Sequence, residues 1–447
     1  MARKKTRNSS ESIDPAQLRL REPARADITP VPAILDRLLP EGHLARLVWE
    51  ATGLLDLTPF YTGLVVTKEG PGRAAASPRL LVALWLYAFS QGITSARRLA
   101  SLCVEDLAYI WLCGGVTMNY HSLSDFRVAH GAALEQLMIM VLGRLLHAGL
   151  VQLEHGAQDG VRVRASAGAS SFHRQPTLEK CWQEARALVE ALPAAEEEGA
   201  EEDGDDDPPS GGQRAARERA ARERLERLEA ALAELPAVRA AKHGPQERDD
   251  ARVSTTDPQA RVMKMADGGF RPAYNLQFTV DSAHGVVIGV RASNGGSDMN
   301  QMPPMVKQVR QWCGGKLPKY WLMDGGFPSV EAIKLGAAVG MTVLAPVPAP
   351  RGKERDRYAP RPDDPPAVVA WRQRMTTAAA KEIYKLRAAT VEWFNAQARE
   401  RYGLQRLRVR GLLKVQCIAL WTALTHNLLL WIQYLVRRSV PLAAATA

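Results

Sequence analysis

The sequence predicts an α/β protein with an all-α N-terminal region and a helical hairpin inserted among its strands. Three observations lead to this class. Residues 27–148 contain four segments whose apolar residues recur at three- and four-residue spacing, as in amphipathic helices. Alternating or apolar runs follow at 160–167, 273–295 and 320–323, as in strands with a buried face, and a short turn at 282–285 divides the second run into two strands of a hairpin. Between the first two runs lie two long segments rich in Ala, Glu, Arg and Leu, which favour helices.

The length and charge of the chain limit the number of domains and the kind of partner that it can have. The 447 residues can fill two or three domains, and a 46% hydrophobic content suffices for real cores. Lys and Arg total 58 against 48 Asp and Glu, and nine of these acids lie in the run 196–207, so the rest of the chain has an excess of 19 basic residues. This excess favours a polyanionic partner. We expect residues 1–26 to be a disordered basic arm, and the acidic loop 193–212 to be disordered.

The cysteines and one long apolar segment indicate where in the cell the protein is expected to be. Five cysteines without a CxxC pair make a structural zinc or a disulfide framework improbable and fit a reducing, cytoplasmic location. Residues 415–436 are long enough to cross a membrane, but six polar residues interrupt their apolar surface. We therefore expect a buried core helix, with His426 hydrogen-bonded inside it.

One carboxylate, Glu392, lies on a predicted helix between an aromatic residue and a cation. Residues 376–401 contain neither Gly nor Pro, so the pattern predicts an uninterrupted helix. At about 100° per residue, Tyr384, Glu392 and Arg399 share about a third of its circumference. A solvated Glu–Arg helix face has the same pattern and is the more common structure.

Two further carboxylates occur where predicted strands begin or end. Asp159 precedes the alternating run 160–167, and Asp324 follows the apolar run 320–323 in an Asp-Gly-Gly turn. Each could be only a turn residue. Together with Glu392 they form the oxygen-ligand set of a two-metal phosphodiester enzyme, in which Mg²⁺ ions activate the attacking oxygen and stabilise the leaving one.

These motifs resemble the DDE transposases of bacterial insertion sequences. The resemblance is carried by QDG at 158–160, MDGGF at 323–327, the Tyr384-x2-Arg387-x4-Glu392-x6-Arg399 signature and THNLL at 425–429. It implies an RNase H-like mixed-sheet catalytic core, with Asp159, Asp324 and Glu392 as catalytic residues and ligands of two Mg²⁺ ions, which Mn²⁺ can replace. Two features depart from the family pattern: Gly325 stands beside Asp324, and Arg399 stands where lysine is common.

The same resemblance extends to the helical region and implies that it helps to bind the terminal DNA repeats of an element. The predicted DNA contacts are Arg97, Arg98, Arg127, Tyr384, Arg387, Arg399, Arg406, Arg408, Arg410 and Lys414. His121 and Ser124 are additional candidates in the helical region. Each candidate in the helical region could equally be an ordinary surface residue.

The predicted domains are a helical N-terminal DNA-binding domain at 27–150, a catalytic domain at 151–175 and 245–438, and a helical hairpin insertion at 176–244. The hairpin is by default a spacer or an interaction element, with Leu225, Leu228, Ala231 and Leu232 on its inner stripe. Asp281 and Asp298 are expected to have structural roles, at a turn and at a helix start, outside the metal site. Residues expected to border the active site are Asp257, Arg261, Tyr274, Asn275 and Gln277.

The predicted function is therefore metal-dependent DNA cleavage and strand transfer at the ends of an insertion sequence. The predicted partner is double-stranded DNA, including terminal inverted repeats and target DNA, bound by a homodimer that is associated with the nucleoid when on DNA. Three alternatives remain: an RNase H-like nuclease that does not join ends, a non-enzymatic DNA-binding protein derived from a transposase, and a coiled-coil interaction protein supported only by the hairpin.

Overall fold

The computed structural model describes residues 19–21, 34–64, 74–191, 211–349 and 356–438. The predicted basic arm 1–26 and acidic loop 193–212 lie outside these residues, apart from 19–21 and 211–212. Near the N-terminus, strand β1 (Leu20–Arg21) pairs in parallel with β2 (Ala75–Ala76).

Six α-helices are described between residues 34 and 147. Two of the four predicted helical segments are each divided into two helices. Asp106 ends one helix and caps the next, because its carboxylate accepts a hydrogen bond from the Ala108 amide (2.9 Å), and His130 separates the last pair. The helices are α1 (Leu44–Gly53), α2 (Pro78–Ser90), α3 (Ala96–Glu105), α4 (Leu107–Cys113), α5 (Tyr120–Ala129) and α6 (Gly131–His147).

The strands of the second part form a mixed sheet. They are β3 (His155–Arg164), β4 (Phe172–His173), β5 (Val253–Ser254), β6 (Arg261–Lys264), β7 (Phe270–Asp281), β8 (Val287–Ser293), β9 (Tyr320–Leu322) and β10 (Thr342–Leu344). The main sheet has the order β10-β9-β3-β7-β6, and β8 also pairs with β7. β3, β9 and β10 are parallel, whereas β7 is antiparallel to β3, β6 and β8. The predicted hairpin across 282–285 is confirmed as the β7–β8 connection.

The inserted hairpin consists of α7 (Gln175–Ala191) and α8 (Gly211–Ala240), followed by α9 (Pro245–Asp249). It leaves the core after β4 and returns at β5, and these two strands pair antiparallel at its base. In the predicted inner stripe, Leu228 and Ala231 are buried, Leu232 packs against the hairpin cluster and Leu225 is half-buried. Leu178 and Val253 belong to the same cluster. The hairpin therefore packs against itself and against its own base.

The remaining helices flank the sheet. They are α10 (Met302–Trp312), α11 (Val330–Ala338), α12 (Pro366–Arg374), α13 (Ala378–Arg387), α14 (Trp393–Glu400) and α15 (Leu412–Arg437). A π-helical segment, Ala388–Glu392, joins α13 to α14 without a break, so the predicted helix is confirmed from Ala378 to Glu400 but is not α-helical throughout. Within it, the Thr390 hydroxyl donates to the Leu386 and Arg387 carbonyls (2.8 and 3.2 Å), and such bonding within a helix competes with the regular backbone pattern.

Helix α15 is the apolar segment that could be mistaken for a membrane span. Within the described ranges, it is the one unbent helix that is long and apolar enough to cross a membrane. However, 89% of its apolar 18-residue window is buried inside the protein. Its polar side chains hydrogen-bond the backbone at the edge of β8. The Asn427 amide accepts from the Val287 N–H (2.9 Å) and donates to the Val287 carbonyl (2.7 Å). The Gln416 amide accepts from the Ala292 N–H and donates to the Val290 carbonyl. The prediction of a core helix is confirmed.

His426 is a core residue bonded on both ring nitrogens, as the sequence predicts. Its Nε2 lies 2.8 Å from the Gly285 carbonyl and its Nδ1 lies 3.1 Å from the Tyr402 hydroxyl. Burial, more than any other cause, lowers the pKa of His426 to about 4. The ring is therefore neutral in the folded protein at neutral pH.

This pKa predicts a loss of stability in mild acid. Between about pH 6.5 and pH 4 the His426 side chain binds a proton in the unfolded chain but not in the folded protein. Lowering the pH through this range therefore lowers the free energy of unfolding by up to about 3 kcal/mol. Urea denaturation at pH 7 and pH 4.5 checks this expectation. The wild type should lose about 2–3 kcal/mol more than His426→Gln, and equal losses would contradict the assignment.

Candidate active site

Asp159 lies on β3, in the middle of the sheet. The strand begins at His155 rather than Gly160, so the expectation that Asp159 precedes its strand was wrong. The strand could begin earlier because His155 and Gly156 still pair with Tyr320 and Trp321 across the sheet. Asp159 and Gly160 point to opposite faces of the sheet. The carboxylate therefore faces the helices α13 and α14, while the glycine faces α10.

Gly160 leaves room for a buried polar network on the back face of β3. The side chains of Asn275 and Gln277 both donate to Asp298 Oδ1, at 2.7 and 2.6 Å. Gln277 in turn accepts from Gln158 Nε2 (3.1 Å). A Cβ atom on Gly160 would lie 2.3 Å from Gln277 Nε2 and 2.5 Å from Asp298 Oδ1. In the QDG motif, Gln158 belongs to the buried network, Asp159 places its carboxylate on the other face, and Gly160 leaves the space that the network needs.

Asp324 follows β9, which is parallel to β3. Ala157 pairs with Leu322, and continuing this register by two residues brings Asp324 level with Asp159. The Met323 amide donates to the Leu344 carbonyl (3.1 Å), so the chain stays on the sheet up to the carboxylate. Asp324 then turns the chain by accepting from the Gly326 amide. Two carboxylates from neighbouring strands therefore lie side by side.

Glu392 reaches the same place from the helix layer and is linked to Asp159 through Arg387. One guanidinium nitrogen of Arg387 lies 3.2 Å from Asp159 Oδ1, and the other bonds Glu392. In a regular α-helix a five-residue separation places side chains about 140° apart, and the π-helical segment brings Arg387 and Glu392 to one face. Asn395 Nδ2 donates to Asp159 Oδ2 (3.2 Å).

The electrostatics of this site are those of a crowded, partly buried anionic cluster. Burial raises the pKa of Asp159; Arg387 opposes the shift, and Asp324 and Asp298 add to it. Burial also raises the pKa of Tyr384, and the charge on Arg387 opposes that shift. No group of three or more His, Cys, Asp or Glu side chains in the described part of the chain has a geometry ready for a metal. Arg387 stands between Asp159 and Glu392.

The predicted DNA contacts fall into exposed and buried sets. Arg97 and Arg98 are exposed on α3, although Arg98 pairs with Glu105 (2.8 Å). Arg127 is buried and donates to the Thr94 carbonyl, and Arg387 is only 11% exposed. Arg399 and Tyr384 are half-buried. Before α15, buried Leu407 and Val409 alternate with the exposed cations Arg406, Arg408 and Arg410, and exposed Lys414 lies in the first turn of α15.

The residues expected to border the site lie behind it or beside it. Asn275 and Gln277 belong to the back-face network, whereas buried Asp257 accepts from the Tyr274 hydroxyl (2.7 Å) and the Gly411 amide (3.1 Å). Arg261 pairs with Glu234 of the hairpin. Asp281 accepts from the Leu153 and Ala283 amides at a turn, as expected. The N-cap of α10 is Gln301, so the expectation that Asp298 opens that helix was wrong.

Two residues of the site were missed in the sequence. Asn395 lies three positions after Glu392, so helical spacing alone could have placed it on the same face. The contact between Asp298 and the β7 amides had no local signal, because it joins segments separated by the β8 strand. Both side chains contact the strand that carries Asp159, directly or through the network.

Comparison with known proteins matches two parts of the chain to transposase families. Residues 240–428 match the family model of the transposase DDE domain, which includes Asp324 and Glu392. Residues 33–129 match a second model, the transposase domain DUF772. Searches of the curated proteins and of the solved structures found no match.

The mixed sheet with its flanking helices is an RNase H-like core, and the two matches together cover more than half of the chain. A transposase DDE domain implies an enzyme with nuclease and transesterase activity on DNA. The chain belongs to the DDE transposases of insertion sequences, a family that depends on metal ions and binds DNA, and its function is DNA transposition.

Proposed function

We propose that Asp159, Asp324 and Glu392 are the catalytic residues and hold two Mg²⁺ ions during cleavage and joining of DNA at the ends of an insertion sequence. The observation that carries this proposal is the register of β3 and β9, which sets Asp324 beside Asp159, with Arg387 linking Asp159 to Glu392. Neither the QDG motif nor the Asp-Gly-Gly turn alone would support it.

The donor set fits divalent cations. All three side chains offer carboxylate oxygen, the ligand that Mg²⁺ and Mn²⁺ take in phosphoryl-transfer sites. Arg387 already places one positive charge between Asp159 and Glu392, which supports the proposal that these carboxylates are neutralised by cations. We infer that Arg387 leaves the carboxylates when the ions bind and then contacts a DNA phosphate, for which its planar fork is suited.

The chain's own residues have distinct tasks in this mechanism. Two bound Mg²⁺ ions would lower the pKa of the attacking oxygen and offset charge on the leaving one. Asn395 holds one oxygen of Asp159 and so fixes the direction of the other. Tyr384 and Arg399 line the approach on the same helix layer. No histidine base is required, because metal coordination would lower the pKa of the attacking oxygen, and His426 is hydrogen-bonded in the core.

DNA binding would use the exposed cations on both sides of the site. In the helical region, these cations would be Arg97 and Arg98. Around the start of α15, they would be Arg406, Arg408, Arg410 and Lys414. By the family resemblance, two copies of the chain bring the two ends of the element together, and the bound protein is associated with the nucleoid.

The test uses purified protein and a labelled duplex that contains the inverted repeats flanking the gene. With Mg²⁺ or Mn²⁺, the protein should cut at the repeat and join the freed 3′ end to new DNA. Cleavage without joining would instead support the nuclease, and repeat binding without cleavage under either metal would support a DNA-binding protein that has lost its activity.

A further inference from the structure

Helix α8 of the inserted hairpin forms one wall of a cationic cavity of about 410 Å³. Arg224 and Arg227 line it from the hairpin, and Arg410 lines it from the stretch before α15. His173 and Thr255 complete the wall from the base of the hairpin, and no acidic side chain lines the cavity. Three guanidinium groups facing one space without a carboxylate are the composition of an anion site.

A second cavity, of about 280 Å³, continues from Arg410 towards the helical N-terminal region. Arg127, Arg408 and Lys414 line it together with Arg410, against a single carboxylate, Asp125. The pKa of Arg127 is lowered to about 10, first by burial and then by the charge on Arg408. Positive charge therefore accumulates here without an equal number of counter-charges in the protein.

The path of positive charge has a defined boundary. A third cavity, of about 710 Å³, is also lined by Arg227, Arg410 and Lys414, but the acids Glu223, Glu226, Glu234 and Asp257 line it as well. Arg227 lies 3.6 Å from Glu223. Acidic side chains outnumber basic ones there, so this cavity favours an anion less than the two cationic cavities that share Arg410.

The hairpin wall is held in a fixed position. Leu178 and Leu235 pack with Val253 at the base of the hairpin, and Glu234 of α8 pairs with Arg261 of the core. Both side chains of this ion pair are less than one quarter exposed. Arg224 and Arg227 are therefore presented by a helix that is anchored to the catalytic core, not by a free arm.

We propose that α8 and the 406–414 stretch form a groove that binds the phosphate backbone of duplex DNA, with Arg224 and Arg227 contacting phosphates that Arg408, Arg410 and Lys414 contact from the opposite wall. The inference rests on the proposed function and assigns the hairpin a role in it. A single small anion would fill one cavity, whereas two adjoining cationic cavities that share Arg410 require successive negative charges, as in a nucleic-acid backbone.

The first test compares two double variants of the same helix. Arg224→Ala with Arg227→Ala should weaken binding of the labelled repeat duplex on the order of tenfold or more, and should reduce the slope of log affinity against log salt by about 1.8, since each phosphate contact contributes about 0.9. The control is Arg219→Ala with Arg222→Ala, which removes the same charge at positions about 140° and about 160° around the helix from Arg224. Thermal unfolding checks that both variants fold.

Equal affinities and equal salt slopes for the two double variants would overturn the groove. The proposed function fails separately: wild-type protein that binds the duplex through Arg224 and Arg227 but never cuts or joins it would overturn the function and leave the groove standing. A loss of binding in both double variants alike would show a general charge effect, and would also overturn the groove.

The second test uses a cysteine of the native chain. Cys181 lines the first cavity and is half-buried, whereas Cys103, Cys113, Cys313 and Cys417 are buried. Repeat duplex should slow alkylation of Cys181 at least several-fold. An unchanged rate would contradict DNA in the cavity, and equal protection by inorganic phosphate at the same ionic strength would show a site for small anions only.

Discussion

Asp159→Asn is expected to lower the rate of DNA cleavage by about a thousand-fold or more while repeat binding is retained. The amide keeps the shape of the side chain and can still accept the hydrogen bond from Asn395, but it removes the negative charge that a divalent ion requires. Loss of one ligand of a catalytic metal costs several kcal/mol of transition-state stabilisation, and about 4 kcal/mol corresponds to this factor. Single-turnover cleavage of the prebound duplex measures it.

Asp267→Asn is the matched control for this variant. Asp267 is an exposed carboxylate that pairs with Arg271 (2.7 Å) at the β6–β7 connection, so its substitution removes the same charge away from the site. Cleavage by the control should equal that of the wild type. If Asp159→Asn cleaves as fast as Asp267→Asn, Asp159 does not take part in catalysis.

Gly160→Ala should destabilise the core by about 2–4 kcal/mol, through overpacking and the loss of buried hydrogen bonds. The new methyl group would lie 2.3 to 2.6 Å from Gln277 Nε2, Asp298 Oδ1 and Asn275 Oδ1. These side-chain ends must move to relieve the overlap, and their movement breaks hydrogen bonds of the buried network. Urea denaturation should therefore show a lower free energy of unfolding.

Gly168→Ala makes the same change shortly after β3, where the nearest atom to the added methyl group is Ser170 Oγ at 3.5 Å. Its φ of −92° suits any residue, so this variant should be within about 0.5 kcal/mol of the wild type. Unfolding free energies that do not differ between the two variants would show that Gly160 is not needed by the network.

Much of this fold is predictable because its signals are local. The β7–β8 hairpin follows from two apolar runs around a short turn, and the core helix α15 follows from polar residues too frequent for a lipid-facing surface. Asp324 after β9 also follows from an apolar run that stops at Asp-Gly-Gly. In each case neighbouring residues carry the pattern.

The geometry of the site was less predictable because its contacts are long-range. Residues 388–392 have the composition of an ordinary helix, so the π-helical segment that turns Glu392 towards Arg387 left no signal. The Arg387–Asp159 ion pair joins the helix layer to the central strand, and Arg387 was expected only as a phosphate contact. Asp298 has the sequence position of a helix cap, and its true partners lie across the sheet.

The central claim is that Asp159, Asp324 and Glu392 together hold the metal ions, and counting bound ions tests it without relying on activity. Mn²⁺ is titrated into the complex of protein and repeat DNA, and free Mn²⁺ is followed by its electron paramagnetic resonance signal. The account predicts two ions bound at the site per protein chain in the wild type. It predicts at least one fewer ion in each of Asp159→Asn, Asp324→Asn and Glu392→Gln. Equal numbers of bound ions in the wild type and in a triple variant would contradict the account.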